Sequence, residues 1–264
     1  MMTTTTTKPT AELRDALAAI NLRHLAETLD DFISRATRAR WSGVQILEEL
    51  ARLEIQERAR RSVERRLSRS HLDRFKPICD FDWNWPKSLD RDAVQRVLSL
   101  NFMDRAENVI LVAPHGAGKT MIAKNIAHAC LLAGHTALFI TASDLLLDLG
   151  KQETARTLER RVRHYASFHA LVIDEMGYLS YDNTAADLLF QIIARRYERR
   201  PVIMTTNLPF AQWNTVFPNA ACATALVDRL THHAEIIVID GHSYRRKEAE
   251  AENKKRRANR RAHD

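Results

Sequence analysis

Residues 108–120 read Asn-Val-Ile-Leu-Val-Ala-Pro-His-Gly-Ala-Gly-Lys-Thr. The apolar run Val109 to Val112 has the pattern of a fully buried strand. It breaks at Pro114, His115, Gly116, Ala117 and Gly118, and Lys119, Thr120 and Met121 then open a helix-period stretch to Leu132. Strand, glycine loop, Lys-Thr and helix, in that order, is what binding a phosphate chain requires. Gly116 and Gly118 let backbone N–H groups curl around phosphate without Cβ interference. The helix N-terminus adds unpaired donors and partial positive charge. Lys119 would reach the β- and γ-phosphates of a nucleotide, and the Thr120 hydroxyl would ligate Mg²⁺. Ala113 stands where the usual G-x-x-x-x-G-K-[ST] pattern has its first glycine, which predicts a stiffer loop rather than a lost site.

A second element of the same chemistry lies downstream. Ala170 to Ile173 is another buried run, and it ends in Asp174-Glu175. Carboxylates at the C-terminal end of a strand expected next to the phosphate-loop strand sit where Mg²⁺ and the γ-phosphate would lie. Asp174 would hold the metal, mostly through water, and Glu175 would polarise an attacking water. The run Val202 to Met204 ends in Thr205-Thr206-Asn207, and Asn207 could hold the same water. Arg229, in Leu226-Val227-Asp228-Arg229-Leu230, is a suitable cation for phosphoryl-transfer charge if a neighbouring subunit supplies it. The competing reading is a salt bridge to Asp228 or another nearby acid. His232 and His233 follow with no carboxylate or cysteine spaced to complete a zinc site, so packing and polar contacts are expected of them.

These residues need a scaffold, and the chain's periodicity supplies one. The strands named above, with Ala137–Ile140 and Ile236–Ile239, make five, and helix-period stretches separate them. That alternation predicts an α/β fold with a parallel five-stranded sheet covered by helices on both faces. A cap at Ser143 is expected to start a short Leu-rich helix, and Arg156 to Tyr165 reads as a basic helix. Ser88-Leu89-Asp90 should cap a helix reaching about Leu100. Upstream, residues 1–72 read as a separate helical module. Residues 1–10, with five consecutive threonines, form an expected disordered leader. Leu22, Leu25, Leu29 and Phe32 mark one face of an amphipathic helix starting near Thr10. A second helix is expected from about Val44 to Leu72. Residues 73–90 form a linker carrying Phe75, Phe81, Trp83 and Trp85, which wedge against the core or line a base pocket. The nucleotide-binding core spans 91–242, and a basic, mobile tail follows at 243–264.

The 264 residues suffice for such a core and an appendage, and 40 basic residues against 33 acidic give a net charge of +7. The basic residues are bunched: residues 58–69 hold six arginines and one glutamate, and 243–264 hold nine basic residues against four acidic. Clustering favours a polyanion, nucleic acid before membrane. Arg58, Arg61, Arg65 and Arg69 fall on one helix stripe, with pairing to Glu54, Glu57 and Glu64 as the alternative. Lys151, Arg156, Arg160 and Arg161 form a second basic set. Cys79, Cys130 and Cys222 lack C-x-x-C spacing and read as core fillers in a reducing compartment. With no signal peptide and no apolar run near 18 residues, a soluble intracellular protein is expected.

Longer motifs surround these sites. They are Asp104-Arg105-Ala106-Glu107-Asn108, Asp174-Glu175-Met176-Gly177-Tyr178-Leu179, Leu189-Phe190-Gln191 and Arg196-Tyr197-Glu198-Arg199. Thr206-Asn207-Leu208-Pro209-Phe210 with Trp213 and Phe217, Asp228-Arg229-Leu230-Thr231-His232-His233-Ala234 and Gly241-His242-Ser243-Tyr244-Arg245 complete the set. Together they resemble the IstB family over nearly the whole chain. The resemblance implies an AAA+ ATPase that assists an insertion-sequence transposase, related to the DnaC helicase loaders. It implies a cytoplasmic bacterial protein that uses ATP and Mg²⁺, forms homo-oligomers with ATP at subunit interfaces, deforms double-stranded DNA, and recruits or stimulates its transposase. Carried over, Lys119 and Thr120 are the Walker A pair, Asp174 and Glu175 the Walker B pair, and Asn207 sensor 1. Arg229 becomes the arginine finger acting in trans, and Arg245 a sensor 2-like residue at the ATP. The lid domain is expected to be reduced, since few residues remain after Ile239. A DnaC-like replicative helicase loader is the alternative.

Overall fold

The computed structural model describes residues 7–178, 180–217, 220–250 and 252. Of the disordered leader expected at residues 1–10, residues 7–10 are helical instead and 1–6 lie outside the described residues, as do residue 251 and the tail from 253 onward. The chain divides into two compact units within one long helix, Met1–Arg65 and Arg66–Asp264. That places the division seven residues before the end of the expected module.

The first unit contains helices α1 (Thr7–Ala19), α2 (Arg23–Glu27), α3 (Leu29–Arg38) and most of α4 (Gly43–Arg69). The single amphipathic helix expected from Thr10 is instead three. Asn21 adopts a left-handed φ of 63° and breaks the first. At Thr28 both the N–H and the hydroxyl bond back to His24 O, which ends the second. The expected apolar face still does its work, because Leu25, Leu29 and Phe32 are buried together with Leu17 and Trp41 packs on them.

The second unit is built on a six-stranded sheet ordered β1-β6-β2-β5-β4-β3. Its strands are β1 (Ser88–Leu89), β2 (Asn108–Val112), β3 (Ala137–Thr141), β4 (Ala170–Met176), β5 (Val202–Thr206) and β6 (Ala234–Asp240). The five strands read from the sequence are parallel. Two-residue β1 adds an antiparallel edge against β6, from what the sequence suggests is linker. Alternation along β2 sorts its side chains: Val109 and Leu111 enter the layer with α5 (Arg91–Leu98) and α7 (Lys119–Leu132). Ile110 enters the opposite layer, under α8 (Ala142–Gly150), α9 (Ala155–Ser167), α10 (Asn183–Arg196) and α11 (Ala220–Thr231). A short α6 (Asn101–Asp104) precedes β2.

Local starts and stops follow capping chemistry. Asp90 caps α5 by accepting from Ala93 N, and that helix stops at Leu98 because Leu100 turns left-handed. Thr141, not Ser143, caps α8, accepting from Asp144 N. Thr154 and Thr157 form a reciprocal box at the start of α9. The exposed edge of β3 is covered by chain leaving α4, where Phe139 N donates to Ser70 O at 2.8 Å. Among the described residues no helix is long and apolar enough to cross a membrane.

The linker 73–90 belongs to the core. Phe81 is buried in the layer with α7, Ile78 and Trp83 pack beside it, and Asn125 bonds both Ile78 N and Lys76 O. The described part of the tail is ordered too: residues 244–250 are helical, and Tyr244 N donates to Gly116 O at 2.9 Å.

Candidate functional site

Strand β2 ends at Val112, and the loop that follows delivers Lys119 as the first residue of α7. Gly116 and Gly118 have φ of 75° and 99°, the left-handed region where a side chain is strained. Space forbids one as well. A Cβ on Gly116 would lie 2.2 Å from Ser243 Oγ, and one on Gly118 would lie 2.7 Å from the Phe81 ring. Buried Ala113 fills the position of the missing glycine: its N–H donates to Thr206 O and its carbonyl accepts from Lys119. Lys119 Nζ donates to Ala113 O at 2.6 Å and to Pro114 O at 2.9 Å. Burial pulls its pKa below the usual lysine value; the carboxylates of Asp174 and Glu175 oppose that shift, and Arg245 reinforces it. The buried ammonium is therefore held by two neutral carbonyls, from which it can be transferred to an anion.

Strand β4 is not the neighbour of β2 that the sequence suggests, since β5 runs between them, yet it brings Asp174 to this loop. Thr120 Oγ1 donates to its carboxylate at 3.0 and 3.2 Å, and the buried Thr205 hydroxyl donates to Oδ1 from the adjacent strand β5. The β4–β5 register slips between Ile173 and Met176. Glu175 occupies that irregularity with φ of 61°, and its N–H donates to Thr205 Oγ1 at 3.0 Å. A bulge re-aims a side chain, and here it leaves buried Asp174 beside exposed Glu175 at a strand end. Thr205 thus orients both carboxylate residues. Sequence reasoning passed over it because its partners depend on strand register. Asn207 Nδ2 lies 3.1 Å from His115 Nε2, and His115 packs edge-on to Tyr178, so loop and β5 are bonded across the site.

A pocket opens beside the loop, lined by residues 116–121 and by the linker and tail, including Phe81, Trp85, Tyr244 and Arg245. Trp85 Nε1 donates to His242 O, and Lys247 lies 4.3 Å over the Trp85 ring while pairing with Asp82 at 2.9 Å. Lys76 pairs with Glu248 at 2.6 Å. Of the two roles weighed for the linker aromatics, Phe81 fills both and Trp85 lines the pocket. Thus Lys119, Thr120, Asp174, Glu175, Asn207 and Arg245 converge, along with Pro114, His115, Gly116, Ala117, Gly118 and Met121 of the loop.

Arg229 does not converge with them. Its carbonyl accepts from Asn108 Nδ2, at the start of β2, and its guanidinium lies 4.4 Å over the Phe190 ring. Five residues of strand, about 15 Å, separate that level from the phosphate loop. Neither Asp228 nor another acid pairs with it among the described ion pairs, so the expected alternative salt bridge is not formed.

The basic sets are partly spent within the protein. Arg58 bonds Glu54 at 3.1 Å, Arg61 bonds Glu57 at 2.6 Å, and Arg60 bonds both Glu57 and Glu64. For these residues the pairing alternative holds, because glutamates three or four residues away share the face. Arg65 and Arg69 are exposed farther along α4. On α9, Arg161 is tied to Asp148 and rests over Tyr165, which removes it from the exposed set. Arg156, Arg160 and Lys151 remain exposed.

A phosphate loop after one parallel strand, with acidic residues ending another strand of the same sheet, defines a P-loop nucleotide-binding fold. Solved structures agree. DnaI superposes with a TM-score of 0.52 at 19% identity, covering 63% of this chain and 89% of that one. AMPPCP-bound DnaA from Aquifex aeolicus gives 0.55 at 15%, covering 65% and 52%. The family model of IstB-like ATP binding proteins matches residues 15–252, and the chain belongs to that family. Relatives include the protein named as ATP-binding in insertion sequence IS5376 of Geobacillus stearothermophilus, 36% identical over 90% of this chain and 95% of that one. Its counterpart in IS21 of Pseudomonas aeruginosa is 34% identical over 90% and 89%.

Proposed function

We propose that this protein is an ATP-hydrolysing helper of transposition, one that assembles on duplex DNA, deforms it, and recruits or stimulates a transposase. The observation that carries the reading is the convergence of Lys119, Thr120, Asp174 and Glu175 at one end of the parallel sheet, the last two joined through the Thr205 hydroxyl. Membership in a family whose relatives are named as ATP-binding proteins of insertion sequences supports the biological setting.

In this reading ATP is the substrate. Loop N–H groups and the N-terminus of α7 hold its phosphates, and Lys119 exchanges its carbonyl partners for them. The donor set suits Mg²⁺, since the Thr120 hydroxyl and the Asp174 carboxylate are hard oxygens already within 3.0–3.2 Å of each other. Thr120 and Asp174 would hold the ion, which when bound neutralises charge on the phosphate oxygens. Glu175 takes the proton of the attacking water, and Asn207 positions that water after leaving His115. Trp85 and Tyr244 offer faces to the base, and Arg245 approaches the phosphates from the tail. Arg229, remote within its own chain, completes the site of the next subunit, so ATP binding and assembly are linked. Arg156, Arg160, Lys151, Arg65 and Arg69 offer cations to DNA phosphates.

The test is binding to labelled duplex and to single strand of equal length, each with and without ATP–Mg²⁺, with bend read by end-to-end energy transfer. ATP-dependent assembly on duplex with the ends drawn together is expected. Preference for single strand without bending would replace this reading with a helicase loader.

A further inference from the structure

At the end of the sheet away from the phosphate loop, three side chains from two separate segments meet. Glu198 lies just beyond α10, and His232 and His233 form the turn between α11 and β6. We propose that Glu198, His232 and His233 form a site for a divalent transition ion, with Zn²⁺ its natural occupant. The sequence reading found no carboxylate spaced to accompany the histidines; the fold brings one from 34 positions upstream of His232.

The geometry suits an ion better than a salt bridge. Glu198 Oε1 lies 3.7 Å from His233 Nε2 and 3.9 Å from His232 Nδ1. Both gaps are too long for hydrogen bonds, yet the carboxylate faces both rings almost equally. One ligand atom from each residue lies within 4.8 Å of the other two. Bonds of about 2.0–2.1 Å to a tetrahedral zinc set ligand atoms roughly 3.3 Å apart, so the two carboxylate gaps must close by about half an ångström and the widest pair by up to about 1.5 Å. The three side chains are half-exposed, which leaves room for that movement. Tyr197 Oη lies 2.7 Å from His232 Nδ1, a contact that this nitrogen exchanges for the ion on binding.

The backbone beneath the cluster is anchored on both sides. Arg196, 1% exposed, donates to the carbonyls of Tyr165, Ala166, Phe168, His169 and Pro201 and so fixes the corner that bears Glu198. Glu198 itself has a left-handed φ of 56°, which directs it away from the path of α10. The Asn108 side chain donates to Leu230 O and accepts from Val202 N, tying the end of α11 to β2 and β5. Two imidazoles and one carboxylate form a borderline-soft donor set that selects zinc over magnesium. Three protein ligands leave a coordination position for water or an incoming group. The ion would join the corner after α10 to the end of α11, one turn from Arg229.

The test is Zn²⁺ titration of the untagged, nucleotide-free full chain, in excess Mg²⁺, by calorimetry and competition with a chelating dye. Wild type is expected to bind zinc saturably. Glu198→Gln and His233→Ala, checked for native melting without metal, are each expected to weaken binding tenfold or more. Zinc is also expected to raise the wild-type Tm but not that of the variants. His135→Ala, at a separate histidine pair, should bind as wild type does. Absence of saturable zinc binding by wild type, or equal affinity in wild type, Glu198→Gln and His233→Ala, overturns the assignment. Neither readout depends on ATP hydrolysis.

Discussion

Thr205→Val removes one buried hydroxyl and leaves the shape of the side chain almost unchanged. That hydroxyl donates to Asp174 Oδ1 and accepts from Glu175 N, so its loss strips one partner from a buried carboxylate and one from a backbone N–H. A hydrogen bond to a charged group contributes about 1.5–3 kcal/mol, and an orphaned buried donor costs about 1–3 kcal/mol. Asp174 keeps its bonds from Thr120, and Glu175 sits near solvent where water can reach its N–H. The expected loss is therefore toward the lower end, about 2–3 kcal/mol. For a unit of this size that lowers Tm by about 5–10 °C. The catalytic effect follows from the same bond. Glu175 is held in a left-handed conformation costing about 1–2 kcal/mol, and without Thr205 it relaxes out of position. ATP turnover is expected to fall about 10–100-fold while ATP affinity changes little. Thr205→Ser, which keeps the hydroxyl, should hydrolyse ATP nearly as wild type does. Thermal melting and a phosphate-release assay at saturating ATP measure both effects. Wild-type turnover and melting in Thr205→Val would refute the argument that this hydroxyl holds the two carboxylates.

Three further outcomes are expected. Glu175→Gln should bind ATP but turn it over about 10²–10⁴-fold more slowly and stay on duplex DNA; an unchanged rate in phosphate release would place the base elsewhere. Arg229→Ala should leave ATP binding by the isolated chain intact and lower assembly-stimulated turnover about 10³-fold or more. Mixing it with Lys119→Ala subunits should restore activity, and a mixture as inactive as its components would remove the shared site. In the first unit, the Glu57 carboxyl is held at about 2, chiefly by hydrogen bonding from Arg60, against burial, with Arg61 adding to it. Because that pKa is depressed, the stability it contributes is complete above about pH 4.3, the ordinary value, and drains away as pH falls toward 2. The gap in Tm between wild type and Glu57→Gln should therefore be flat from pH 7 to about 5 and narrow below about 4. A gap that widens with acid would contradict the pairing.

What the sequence made legible was whatever depends on neighbours in the chain. The order strand, glycine loop, Lys-Thr, helix is contiguous, and Asp174-Glu175 follows directly on a buried run, so both could be placed on strand ends. Caps were legible less securely: Thr141 and Ser143 are both plausible caps, and only backbone conformation chooses Thr141. Features depending on register or distant contact were hidden. Thr205 matters because a slip between β4 and β5 sets its hydroxyl between Asp174 and the Glu175 N–H. Arg161 looked like a member of a basic face, but Asp148 of the preceding helix claims it, 13 positions back. For the arginines of α4 the sequence leaves a one-sign stripe and pairing to nearby glutamates both open, and only side-chain geometry assigns Arg58 to Glu54 and Arg61 to Glu57. Asn21, which turns left-handed, and Thr28, whose hydroxyl bonds back to His24 O, divide the first helix, something an apolar-face pattern does not register.

The segment after β6 helps to wall the pocket beside the phosphate loop, which is closed on two sides. One wall is the linker, held by Asn125 and by Phe81 beneath Gly118. The other is the helical segment 244–250, joined to the loop through Tyr244 N and Gly116 O and to the linker through the Lys247–Asp82 and Lys76–Glu248 pairs. Because each wall braces the other, contacts at the base end of the pocket reach the loop through Gly116 and Gly118, the two positions where no side chain fits. The glycines therefore serve both the conformation of the loop and the closeness of its walls. Arg245, carried on the tail wall, lies close enough to Lys119 to repel its charge.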